Sequence, residues 1–168
     1  MTEAGATSNL TGLHVLAVDD EADILDTIED VLDGVQVERA QDYATASQKI
    51  KDTTYDLAIL DIMGVNGLAL LMETVDKGIP TVMLTAHAMN PETLKTSITT
   101  GALSYLPKEE LANLDVFLND LLGASKQGRS TWALLFDRLG KFFENSFGPQ
   151  WAKDDPEFWK AYGYFVHF

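Results

Sequence analysis

The segment "YDLAILDIMGVNG", Tyr55 to Gly67, decides the fold. Leu57, Ala58, Ile59 and Leu60 form an apolar run of the length of a buried strand. Asp61 stands directly at its end, and Gly64, Asn66 and Gly67 then mark a loop. A carboxylate in that position must reach water or find a partner, because burying it unpaired is costly. Asp61 either caps the next turn, where Asp is common, or belongs to a site. The rest of the chain decides between these.

Outward from this strand the same grammar repeats. "LHVLAVDDE" is an apolar run, Val15 to Val18, ending in acids. In "EADILDTIEDVLDG", Ile24, Leu25, Ile28, Val31 and Leu32 fall at helical intervals before Gly34. "VQVERA" is a short strand, and "DYATASQKIKD" a helix capped by Asp42. "LALLMETVDKG" is a helix closing at Gly78, and "PTVMLTA" the fourth strand. "NPETLKTSITTG" opens with Asn at the cap and Pro at the first helical position. "LSYLP" is the fifth strand, and "EELANLDVFLNDLLG" the last helix of the unit. Alternating strands and helices predict an α/β fold: a five-stranded parallel sheet with helices on both faces. Ligands in such folds bind outside the carboxyl ends of the strands.

The residues at those ends are polar: Asp19 and Asp20 after the first strand, Asp61 after the third, Thr85 after the fourth and Lys108 after the fifth. Three converging carboxylates repel, at about 4 kcal/mol per pair for ~4 Å and an effective dielectric of ~20. A divalent cation removes that repulsion, and oxygen ligands without His or Cys favour Mg²⁺. Asp61 can then act as a carboxylate nucleophile toward phosphorus. Lys108, the Thr85 hydroxyl and the metal would stabilise charge on the transferred oxygens. Each residue alone has a plainer reading: Asp20 or Glu21 as a helix cap, Thr85 as an ordinary hydroxyl, Lys108 as a surface lysine.

"VDDE", "LAILD", "LTA" and "SYLPK", in this order and at these strand ends, resemble the receiver domain of bacterial two-component response regulators over roughly residues 13–123. The resemblance implies Asp61 as phosphoacceptor, Asp19 and Asp20 as the acidic Mg²⁺ pair, and Thr85 and Lys108 as partners of the phosphoryl group. It also implies Tyr105 as an aromatic switch turning inward on phosphorylation, and the Met63 carbonyl as a metal ligand. It implies a sensor histidine kinase or phosphotransfer protein upstream, and a readout face made of the fourth helix, fifth strand and fifth helix. One departure stands out. The segment after Asp61 is shorter than in the family, and Val65 occupies the usual proline position. Gly64 and Gly67 are expected to supply unusual backbone angles there.

Composition sets the remaining expectations. The chain has 168 residues and a net charge of −14, which argues against DNA as a partner. It has no Cys, excluding disulfides and Cys-ligated metals. The opening "MTEAGATSNLTG" lacks a signal-peptide core and is expected to be flexible over residues 1–12. No apolar run approaches a membrane span, so a cytoplasmic protein is expected. Residues 1–123 carry 6 Lys and Arg against 21 Asp and Glu, whereas residues 124–168 carry 6 against 5. Aromatics are skewed the other way, with 12 of 16 in the last 45 residues. A boundary is placed at Gly123, with "LLGASKQGRS" as linker and 124–168 as a helical extension.

That extension has no helix-turn-helix pattern. "STWALLFDRLGKFFENSFG" is an amphipathic helix capped by Ser130 or Thr131, and "DDPEFWKAYGYF" a second, capped by Asp155. Twelve aromatics could bury on the order of 2,000 Å². Trp132, Phe136, Phe143, Trp151 and Trp159 are therefore expected to pack, on the receiver in cis or in a homodimer through the extension or the readout face. The function expected is a phosphorylation-switched, non-enzymatic signalling protein with a protein-contact output. Two alternatives are a Mg²⁺-dependent phosphatase or phosphotransferase with an aspartyl-phosphate intermediate, and a degenerate receiver acting only as a binding module. "VDDE" lacks the D-x-D spacing of haloacid-dehalogenase-like enzymes, and the intact site residues count against degeneracy.

Overall fold

The computed structural model describes residues 9–86 and 90–164. Five strands, β1 (His14–Val18), β2 (Gln36–Ala40), β3 (Leu57–Asp61), β4 (Thr81–Thr85) and β5 (Ser104–Pro107), form one sheet in the order β2-β1-β3-β4-β5. All four pairings are parallel. The helices are α1 (Ala22–Val31), α2 (Tyr43–Asp52), α3 (Gly67–Asp76), α4 (Pro91–Thr100), α5 (Leu114–Lys126), α6 (Thr131–Phe147) and α7 (Pro156–Ala161), with 3-10 turns at Lys108–Asn113 and Trp151–Asp154. None of the described helices is long and apolar enough to cross a membrane.

Strand β3 is central, and all five of its residues are buried, Asp61 included. Its partners are β1, where Val18 lies opposite Leu60, and β4, where Leu84 lies opposite Asp61. The winding direction of the sheet reverses between β1 and β3, so their carboxyl ends border the crevice such folds use for ligands.

Caps fall where the sequence puts them. Asp42 accepts from the Thr45 N–H at 2.8 Å, Asn90 from Thr93 at 3.0 Å and Asp155 from Phe158 at 3.2 Å. At α6 the cap is Ser130, accepting from the Ala133 N–H at 3.0 Å, while Thr131 donates to the Leu103 carbonyl at 2.8 Å.

Two boundaries differ from expectation. Helix α5 does not stop at Gly123 but runs on to Lys126, because Ala124 is buried and carries the helix one more turn. The break follows instead at Gly128, whose φ of +72° a side chain rarely adopts. At the other end, residues 1–8 of the segment expected to be flexible lie outside the described residues. Asn9 and Leu10 are packed: Asn9 donates through Nδ2 to the Asn119 carbonyl at 3.0 Å, and Leu10 is buried.

The extension lies in cis on the face made by α4, β5 and α5. Trp132, Phe136, Phe143, Trp151 and Trp159 are all buried and continuous with the sheet core. A dimer through that face would require the extension to leave it.

Candidate functional site

The site is built on Lys108, the first residue after β5. Its Nζ lies 2.9 Å from Asp19 Oδ2, 3.1 Å from Asp61 Oδ1 and 3.5 Å from Glu21 Oε1. Asp19 and Asp61 are buried and Asp20 is exposed. Asp19, Asp20 and Asp61 each offer a carboxylate oxygen, all within 4.8 Å of one another. The Glu21 N–H donates to Asp19 Oδ1 at 2.9 Å, and the Gly64 N–H to Asp61 Oδ2 at 3.1 Å.

Burial pushes the Asp19 carboxyl up, against the Glu21 N–H and Lys108, and the nearby charge of Asp61 adds to the rise. Burial works against the Lys108 ammonium, but the Asp19 and Asp61 carboxylates together outweigh it and hold its pKa above the usual lysine value. One lysine thus balances two buried acids, with Asp20 unpaired by it. A surplus of negative oxygen remains at the mouth of the crevice. Asp19 Oδ2 is buried and close to the ammonium, yet accepts no aligned hydrogen bond. These hard donors fit a small divalent cation such as Mg²⁺.

Thr85 closes β4, is buried, and donates to the Ala86 carbonyl at 3.0 Å. The Tyr105 hydroxyl approaches Thr85 Oγ1 at 3.4 Å. Burial raises the Tyr105 phenol to about 12. The ring expected to turn inward on phosphorylation is already inside, fully buried. Phe143 of the extension lies 6.1 Å from it, centroid to centroid, and covers its outer side.

The short β3–α3 loop works differently from its reading in the sequence. Neither Gly64 nor Gly67 has a positive φ; the left-handed residue is Asn66, at φ 55°. The glycines are there for close approach. A Cβ on Gly64 would lie 2.3 Å from Asp20 Oδ1, and one on Gly67 2.0 Å from the Asp61 carbonyl oxygen. Met63 sits in this loop, 72% exposed.

The sequence expectations for Asp19, Asp20, Asp61 and Lys108 meet in one cluster. Thr85 and Tyr105 form an adjoining pair. Three contributors were missed. Glu21, for which the sequence offers only a cap as an alternative to Asp20, holds the N-cap position of α1, but its side chain makes no cap bond and instead approaches Lys108. The Gly64 N–H was overlooked because backbone donors carry no sequence signal. Phe143 was counted with the aromatics to be buried, but not as the cover of Tyr105.

Comparison with known proteins gives a consistent answer. A family model described as the response regulator receiver domain matches residues 15–117. The phosphate regulon transcriptional regulatory protein PhoB of Klebsiella pneumoniae is 34% identical over 114 residues, 60% of this chain and 49% of that protein. The chain therefore spans about half the length of the curated relatives it matches. Among solved structures, the receiver domain of NtrX from Brucella abortus is 33% identical, with a TM-score of 0.57, over 64% of this chain and 96% of that one. A CheY-like receiver domain protein from Methanospirillum hungatei is 25% identical, with a TM-score of 0.58, over 70% and 99%.

Proposed function

The chain belongs to the response regulator receiver family, and from that membership we propose that it is a signalling protein switched by phosphorylation of Asp61. The observation that carries this is the Asp61 carboxylate, at the end of the central strand with Lys108 at 3.1 Å and two further carboxylates alongside. The phosphoryl donor is a sensor histidine kinase or phosphotransfer protein. An Asp61 oxygen attacks phosphorus, and the phosphorus–nitrogen bond of the donor's phosphohistidine breaks as the new bond forms. The Lys108 ammonium offsets charge on the transferred oxygens, and the Thr85 hydroxyl turns to donate to one of them. Asp19, Asp20, Asp61 and the Met63 carbonyl would hold Mg²⁺, which supplies positive charge beside the phosphoryl group.

The unit reads as a relay component of the cytoplasm and not as an enzyme, with the receiver over residues 13–123 and the extension after it. Its PhoB relatives are named as transcriptional regulators. For this chain we propose an output by protein contact. Supporting that reading are its net charge of −14 and a nearly neutral extension seated on the receiver. The test is direct: incubate with Mg²⁺ and acetyl phosphate and map the modified residue by mass spectrometry. Modification at Asp61 is expected; modification elsewhere alone refutes the assignment.

Asp19→Asn tests the metal. Burial raises the folded-state pKa of Asp19, so its stabilising contribution is complete at low pH and lost as pH rises through that pKa. An always-neutral Asn keeps that stability at neutral pH. The metal-free variant is expected to melt above the wild type at pH 7, with the gap closing on acidification. Saturating Mg²⁺ reverses the order, because the wild type gains about 2.7 kcal/mol at 100 times its Kd and the variant much less. Equal responses to Mg²⁺ would show that the ion binds elsewhere.

A further inference from the structure

We infer that the extension is the resident partner of the α4–β5–α5 face, and that phosphorylation of Asp61 loosens it through Tyr105 and Phe143. The inference rests on Asp61 being the phosphoacceptor.

Contacts to the extension run along the whole face. Lys95 of α4 lies 2.8 Å from Asp155 Oδ2, with its Nζ 4.6 Å from the centre of the Phe158 ring. The Leu103 carbonyl, just before β5, accepts from Thr131. Asp120 of α5 pairs with Arg138. The two ion pairs sit at the rim in partial contact with water, where such pairs contribute little. The strength of attachment is therefore in the middle, where Phe143 is fully buried. Phe136 and Phe147 surround it at 5.7 Å and Trp151 at 6.1 Å, and Tyr105 lies beneath. The extension is anchored on Tyr105, the β5 residue whose hydroxyl approaches Thr85 Oγ1.

The link from the site is short. The β4 end lies beside the β3 end, with Leu84 opposite Asp61 and Thr85 next in line. Thr85 now gives its hydrogen to the Ala86 carbonyl. A phosphoryl group on Asp61 offers a charged acceptor, which makes the stronger bond. As Thr85 turns toward it, the Tyr105 hydroxyl loses its neighbour inside the core, and an unpartnered buried hydroxyl is costly. The ring relieves that cost by following Thr85, away from Phe143. A close-packed contact does not stretch gradually, so the seat of the extension loosens. Coupling between two binding events is reciprocal. Weakening the seat must therefore favour the phosphorylated form.

The test uses the full chain, because all three tryptophans, Trp132, Trp151 and Trp159, lie in the extension. Acrylamide quenching is measured with and without Mg²⁺ and beryllofluoride, in the wild type, Asp61→Asn, Phe143→Leu, Phe143→Ala and Lys95→Ala. Beryllofluoride affinity is read separately from amide shifts at the strand ends. Quencher access is expected to rise with beryllofluoride in the wild type and to stay constant in Asp61→Asn. Phe143→Leu is expected to tighten beryllofluoride about fivefold or more. If Phe143→Ala fails to fold, Phe143→Leu and Lys95→Ala carry the comparison, the latter touching only the rim. Unchanged or reduced quencher access in the wild type, with mass spectrometry placing phosphate on Asp61, overturns the coupling and leaves the receiver assignment intact. Absence of phosphate on Asp61 overturns both.

Discussion

Asp61→Asn is expected to take up no phosphate from acetyl phosphate, a loss of about 10⁴-fold or more in labelling rate. The substitution removes the oxygen proposed to attack phosphorus and little else. Asn has the shape of Asp, and its carbonyl oxygen can still accept the Gly64 N–H that now reaches Asp61 at 3.1 Å. Lys108 keeps Asp19 at 2.9 Å, so its ammonium is not left unpaired inside the protein. One of three mutually repelling carboxylates is gone, and the variant should be at least as stable as the parent. Loss of labelling in a stable protein therefore reports chemistry and not unfolding. The neighbouring acids cannot substitute. Asp19 is fully buried and already engaged by the Glu21 N–H and Lys108. Asp20 is exposed but lies outside the reach of Lys108, whose close carboxylates are Asp19, Asp61 and Glu21. Intact mass before and after incubation decides the matter, and phosphate taken up by the Asp61→Asn protein in any amount comparable to wild type would end the assignment.

The meeting of three acids was partly legible in the sequence. An apolar run followed by Asp61, and another followed by Asp19 and Asp20, are local patterns. A parallel sheet then brings their ends together whatever the helices do. Lys108 was legible for the same reason. What failed depended on tertiary neighbours. The change in composition places the boundary at Gly123, and packing around buried Ala124 carries α5 past it. Gly64 and Gly67 suggested positive φ, but that angle fell to Asn66. The inward position of Tyr105 had no local signal, because Phe143, 38 residues later in the chain, covers the ring. The aromatic skew announced that the extension must be buried. Its resting place on α4, β5 and α5 follows only from which surface has a matching ring, carbonyl and charge to offer.

The shortened loop makes the sharpest contrast between sequence and structure, and Gly67→Ala exposes it. Gly67 opens α3 with ordinary backbone angles, so helix propensity alone predicts that alanine stabilises by up to about 1 kcal/mol. The opposite is expected. An added Cβ would stand 2.0 Å from the Asp61 carbonyl oxygen, 2.8 Å from its carbonyl carbon and 2.9 Å from the Ile62 Cα. All three are backbone atoms of the central strand or its continuation, and none can rotate aside. The Gly67 N–H also donates to the Ile62 carbonyl at 2.9 Å, which ties the helix start to the place of the clash. Relief requires lifting α3 from the end of β3 and breaking that bond, at a cost of about 3 kcal/mol or more. Asp61 moves with the strand end, so labelling should fall together with stability. Gly64→Ala is the control. Its Cβ would meet Asp20 Oδ1 at 2.3 Å, but that is the tip of an exposed side chain, free to swing into water. Stability should change by less than about 1 kcal/mol there, while the Mg²⁺-dependent rise in melting temperature shrinks. Urea unfolding of the two variants beside the parent is the measurement. A Gly67→Ala protein as stable as the wild type would mean that the loop is not pressed against the end of the strand that carries Asp61.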